Sequence, residues 1–160
     1  MQPINPSAQK IQNILNSLGS DYKVIEFSES TRTAQEAADQ VGCQLGQIVK
    51  SLIFKGSSSN KGILVLTSGS NRVDEARISQ YMGESISRAD PEFVRTVTGF
   101  AIGGVPPFGH AQSLETYIDE DLLQYAGVWA AAGTPNAVFQ LPSADLVKIT
   151  SGKIVRVKPG

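Results

Sequence analysis

The chain of 160 residues is poor in the residues that most often carry chemistry or covalent staples: one cysteine, one histidine, one tryptophan and two methionines. A lone Cys43 excludes an internal disulfide and a cysteine-based zinc site, and its position just after an expected helix end suits a small packing residue better than a nucleophile. No run of about eighteen apolar residues occurs, and the N-terminus lacks the charged-then-apolar pattern of a secretory signal. These absences predict a cytoplasmic protein without a membrane partner. Positive charge is also missing from a long segment. No Lys or Arg occurs from Thr96 through Val147, although Glu115, Asp119, Glu120, Asp121 and Asp145 lie there. With a net charge of −1, the chain has no global basic field to hold DNA or another long duplex, while recognition of one nucleic-acid end stays open.

What is present fits an ordinary globular composition, 41% apolar and 18% charged, and the length suits a single domain spanning residues 1–160. Ile11, Ile14, Leu15 and Leu18 follow the i, i+3, i+4, i+7 spacing of an amphipathic helix stopped by Gly19. Tyr22 to Phe27 alternates as a strand does. Thr33 and Glu36 form a capping box that opens a helix ending near Gly42. Strands are expected at Gln47 to Lys55 and Gly62 to Thr67, the second apolar on both faces as in a covered sheet. A helix from about Val73 to Met82, a short strand near Ile86 and a helix opened by Asp90-Pro91 follow. Further strands are expected at Glu115 to Ile118, Gly127 to Ala131, Ala137 to Leu141 and Lys153 to Val157, with Ser143 capping a last helical turn. This order predicts a mixed sheet with helices packed on it, in the α/β or α+β class.

Three segments stand out chemically. Thr98 to His110 gathers four glycines, two prolines and the only histidine into thirteen residues. Such a stretch is a poor helix and a poor strand; it is a structural turn, or a rigid loop whose exposed polar groups are its own peptide bonds. Lys50 shares a strand face with Ile48, Leu52 and Phe54. An ammonium on an apolar face is costly to desolvate, so either the strand lies at an edge and the lysine snorkels, or the cation projects into a cavity toward a carbonyl or phosphate oxygen. Trp129 to Asn136 runs through three alanines into Gly133-Thr134-Pro135-Asn136, a tightly packed strand end or a pocket wall of bare backbone. His110 is polar surface or a proton carrier. No Ser-His-Asp signature, phosphate-binding loop or metal-ligand cluster occurs, so neither a metal nor a cofactor is expected.

Together, Lys50 in Gln-Ile-Val-Lys-Ser-Leu, the loop from Thr98 to Pro107 and Gly133-Thr-Pro-Asn resemble the YbaK/ProX aminoacyl-tRNA deacylases, relatives of the editing domain inserted in bacterial prolyl-tRNA synthetases. The similarity runs from about Thr33 to Leu146. It implies a small α/β (α+β) domain with a mixed, mainly antiparallel sheet flanked by helices, and trans-editing of mischarged tRNA(Pro). It also implies Lys50 and Gly103 as catalytic positions, with Gly104, Pro107, Ala131, Gly133 and Thr134 against the substrate; His110, next to the motif rather than within it, is an extra substrate-side candidate. The partners implied are the 3′ aminoacyl end of a mischarged tRNA and, second, a prolyl-tRNA synthetase. The cysteinyl-tRNA(Pro) branch of the family carries serine and glycine where this chain has Ala131 and Ala132. That departure points to alanine or a similarly small amino acid. Three other classes remain open from the residues alone: a Schiff-base enzyme using Lys50, a non-catalytic tRNA- or synthetase-binding module, and a bare structural domain.

Overall fold

A computed structural model describes residues 5–29, 31 and 33–160. Among these residues five α-helices, α1 (Pro6–Ser17), α2 (Ala34–Val41), α3 (Glu75–Met82), α4 (Pro91–Thr98) and α5 (Ser143–Thr150), flank eight strands. The strands are β1 (Ile25–Glu26), β2 (Ile48–Gly56), β3 (Gly62–Ser68), β4 (Ile86–Arg88), β5 (Glu115–Asp119), β6 (Gly127–Ala131), β7 (Ala137–Pro142) and β8 (Lys153–Val155). They form one sheet in the order β1-β7-β6-β2-β3-β5-β8, with β4 paired to β2. The sheet is mixed and mainly antiparallel, as expected: β1–β7, β2–β3, β2–β4 and β6–β7 are antiparallel, and β2–β6, β3–β5 and β5–β8 parallel.

Period-two alternation sends the two faces of β2 and β3 into different cores. Val49, Ile53, Leu64 and Leu66 pack with Ile11 and Leu15 of α1, Val94 and Val97 of α4, and Leu146 of α5. Phe54, Ile63 and Val65 pack on Ile78 of α3, and Ile48 packs on Ala37 and Ala38 of α2. Local chemistry sets the helix starts. Thr33 Oγ1 accepts from the Glu36 amide at 3.1 Å, and Asp90 caps α4 through the Phe93 amide at 2.8 Å.

Three elements differ from the sequence expectation. β1 shrinks to two residues because the Gln12 side chain of α1 takes the place of a strand partner: its amide donates to the Tyr22 carbonyl at 3.0 Å and its oxygen accepts from the Val24 amide at 2.8 Å. α5 is a full helix rather than a turn, nucleated by burial of Leu146, and Ser143 does not cap it. The Ser143 hydroxyl donates instead to the Tyr125 carbonyl at 2.6 Å. β8 stops at Val155, since Val157 leaves the sheet to join the α3 core and accepts from the Asp74 amide at 2.7 Å.

Candidate active site

The centre of the sheet contains a gap. Along one edge β2 is fully paired with β3 from Val49 to Lys55. Along the other it meets β6 only at Ile48 and Val49, and β4 only from Phe54 to Gly56. Between these contacts, from Lys50 to Ile53, the edge has no strand partner among the described residues, and the Ala89 amide reaches back to the Ile53 carbonyl at 3.3 Å. A cavity of about 290 Å³ fills the gap. Its walls are the start of α2 with Thr31 and Thr33, the Ala130–Ala131 end of β6, Thr134-Pro135, the loop at Ile102 and Gly103, and Arg88-Ala89.

Lys50 lies on the floor of this cavity, half-buried. The strand carrying it is internal, so snorkelling from an edge does not describe it. Its Nζ donates to the Asn71 carbonyl at 2.6 Å. An ammonium has three donors, so this bond leaves capacity toward a ligand. Burial pushes the Lys50 pKa below the ordinary lysine value and repulsion from Arg88 adds to this, while Asp119 pulls the other way. Arg88, paired across from Phe54 on β4, is the second cation lining the cavity, and no carboxylate does so among the described residues. The Ser51 hydroxyl also belongs to the wall and is buried with no hydrogen-bond partner among the described residues.

The glycine loop closes the site by backbone contact. Gly103 has φ +92° and lies exposed at the cavity mouth beside Ile102. Gly104 is buried, and a Cβ there would lie 2.7 Å from Thr134 Cα and 2.8 Å from the Gly133 carbonyl oxygen. Two glycine-bearing segments thirty residues apart thus approach so closely that only glycine fits between them. His110 holds the loop from behind: its Nε2 lies 2.7 Å from the Pro106 carbonyl oxygen, an acceptor, so this nitrogen carries the proton. Burial pushes its pKa down.

The residues singled out in the sequence therefore divide into two groups. Lys50, Gly103, Ala131 and Thr134 line the cavity. Gly104, Pro107, Gly133 and His110 stand behind its wall: Gly104 and Pro107 are buried, and Gly133 (φ +95°) packs against the Ser7 backbone of α1. Ala132 is likewise buried in the core, so of the three consecutive alanines it is Ala130 and Ala131 that line the cavity. Arg88, Ser51 and Thr31 were missed by the sequence reading. The absence of cations from Thr96 to Val147 says that a cation acting on a ligand at the glycine loop comes from elsewhere in the chain, and it does not single out Arg88.

The fold and this site define a class. The family described as "Aminoacyl-tRNA editing domain" matches residues 28–149, and the chain belongs to it: it is an aminoacyl-tRNA deacylase of the YbaK/ProX type. Among relatives, the chain is 34% identical over 131 residues to the uncharacterized protein YwhH of Bacillus subtilis, covering 82% of this chain and 83% of that one. It is 24% identical to EbsC of Enterococcus faecalis, a candidate Cys-tRNA(Pro)/Cys-tRNA(Cys) deacylase, over 85% of this chain and 84% of that one. A solved structure of a candidate trans-editing enzyme for prolyl tRNA synthetase superposes with a TM-score of 0.93 at 46% identity, covering 99% of this chain and all of the other. Half of the chain also matches 14% of the proline–tRNA ligase of Thermosipho melanesiensis, at 35% identity. No helix among the described residues is long and apolar enough to cross a membrane.

Proposed function

We propose that this protein works in trans, as one domain over residues 1–160, to clear tRNA(Pro) mischarged with a small uncharged amino acid of alanine to 2-aminobutyrate size. The carrying observation is the cavity itself: walls of Ala130, Ala131 and Ala137, an ammonium on the floor, and no carboxylate among the described lining residues. An aminoacyl ester is already activated, so hydrolysis needs positioning and charge stabilisation more than a strong nucleophile. Water adds to the ester carbonyl, the tetrahedral intermediate expels the ribose oxygen, and that oxygen takes the proton; free amino acid and tRNA result.

In this reading Lys50 supplies positive charge to the ester oxygen or the terminal phosphate, and Arg88 extends that field to the mouth. The unpaired β2 edge and the Gly103 backbone offer peptide groups to the aminoacyl moiety. Thr134 and Ala131 bound its side chain. Pro107, Gly104, Gly133 and His110 keep the wall rigid. The neighbouring ribose hydroxyl offers the proton route that the family resemblance implies. The protein acts in the cytoplasm, and a prolyl-tRNA synthetase is the partner whose errors it would correct.

The test is a deacylation screen with tRNA(Pro) carrying Ala, 2-aminobutyrate, Cys, Ser, Thr and Pro. Rapid loss of Ala and 2-aminobutyrate with Pro spared is expected. Preferential cleavage of Cys would move the protein to the cysteinyl branch, and tight binding without turnover would make it a non-catalytic module. A borohydride-trapped adduct on Lys50 would replace this mechanism with Schiff-base chemistry.

A further inference from the structure

The contact that holds Lys50 is itself held by a network that no element of the cavity wall contains. Asn71 follows β3, and its backbone carbonyl receives the Lys50 ammonium at 2.6 Å. Its side-chain amide donates to two carboxylates, Asp119 Oδ2 and Asp121 Oδ2, each at 2.8 Å. Both carboxylates are fixed in turn. Asp119, buried at the end of β5, accepts from the Ser68 amide at 3.0 Å through Oδ2 and from the Asp121 amide at 2.9 Å through Oδ1. Asp121 pairs with Lys158 at 2.8 Å, which brings the C-terminal segment into the same cluster.

We propose that Asn71 is a positioning residue for deacylation: its amide, clamped between Asp119 and Asp121, sets the carbonyl that aims the Lys50 ammonium into the cavity. A backbone carbonyl in a connecting segment is otherwise free to turn with its peptide plane, and a lysine has four rotatable stem bonds with which to follow it. Two donors from one amide to two anchored acceptors remove that freedom. The arrangement also leaves a buried carboxylate near the ammonium with no direct bond between them. Asp119 therefore supports the charged form of Lys50 against burial and Arg88, the other charged group acting on it, without neutralising it as a close ion pair would. This inference rests on the proposed role of Lys50 in hydrolysis.

A double-mutant cycle on Ala-tRNA(Pro) hydrolysis separates the two readings. Asn71→Ala deletes both amide bonds and keeps the backbone carbonyl. It is expected to lower kcat by about ten- to a hundredfold with KM little changed, the scale set by loss of orientation near reacting atoms. In the Lys50→Ala background the same substitution should cost less than about twofold, since there is no ammonium left to aim. An equal loss in both backgrounds, or no loss in the parent, overturns the positioning role. Full activity in Lys50→Ala alone overturns the role of Lys50, and the positioning role with it. Melting temperatures accompany each protein. Should Asn71→Ala unfold, Asn71→Ser, which keeps one hydroxyl donor for one carboxylate, carries the same cycle. A third readout is the pH profile. Asp119→Asn removes the opposing charge and should move the basic limb of kcat to lower pH; an unmoved limb in the folded variant counts against the network.

Discussion

Replacing Lys50 with methionine keeps an unbranched apolar stem along the cavity floor and deletes the ammonium alone. The loss includes the charge-assisted bond at 2.6 Å to the Asn71 carbonyl and whatever the same ammonium gives the substrate. Hydrogen bonds to charged groups contribute about 1.5–3 kcal/mol, so turnover should fall by roughly one to two decades while the fold persists. The pH dependence adds a sign that unfolding would not reproduce. Burial and Arg88 place the Lys50 pKa below 10.5, so the parent should lose activity as pH rises through that depressed value. Over the window between the depressed folded pKa and 10.5, the unfolded chain binds more protons at this site than the folded one, and its contribution to stability rises with pH. Activity and the stability contribution of this group thus move in opposite directions. Tyr22 and Tyr117 act in reverse, since their pKa values are pushed up to about 12 and stability falls between pH 10 and 12 as the unfolded phenols ionise. Single-turnover deacylation below pH 10, with melting curves at each pH, keeps the effects apart. Turnover of Lys50→Met within about twofold of the parent, or the same basic limb in both proteins, refutes the reasoning.

Other outcomes follow from the loop and wall. Gly104→Ala forces a Cβ to 2.7 Å from backbone atoms of Thr134, so melting temperature and activity should fall together; an unchanged melting temperature would deny the close approach. Gly103→Val has space, with Pro135 Cγ 3.6 Å from the new Cβ, and meets mainly the strain of φ +92°, about 1–2 kcal/mol, so activity should fall by more than stability. Parallel losses at Gly103 would support a purely structural turn. Ala131→Val narrows the wall and should slow 2-aminobutyrate release more than alanine release in paired rate measurements; equal slowing would show that this wall does not select.

Much of this architecture is written locally and some of it is not. Caps such as Thr33 and Asp90, and the apolar runs of β2 and β3 with the polar turn between them, act over a few residues and so are legible. β1 was misjudged because its partner is a helix side chain, Gln12, and α5 because burial of Leu146 stabilises a helix that composition alone does not demand. Lys50 stood out because an ammonium on an apolar strand face conflicts with its neighbours, and Gly103-Gly104 because few backbones need such freedom. The gap beside β2 left no local mark. It exists because β6 and β4 pair with opposite ends of that strand, a matter of tertiary register. Arg88 and the Asn71 network share that origin, since the residues converging there come from β2, β4, β5 and the segments after β3 and β8.

The cavity also limits what its own walls can decide. Alanine-lined space excludes a side chain that overlaps it, which is how the larger ring of proline is to be spared. It cannot reject glycine or serine strongly, because a missing methyl or an added hydroxyl in an apolar pocket changes binding by only about 1–3 kcal/mol. Restriction to one tRNA therefore has to come from contacts outside the cavity. Contacts that neutralise phosphate charge need Lys or Arg, and the stretch from Thr96 to Val147, which supplies the glycine loop, β5, β6 and β7, has neither. Cations for such contacts have to come from the rest of the chain; Arg88 and Arg72 are both exposed, but the surface pocket they line also holds Asp74 and Glu75, so charge there is mixed rather than a purely cationic track.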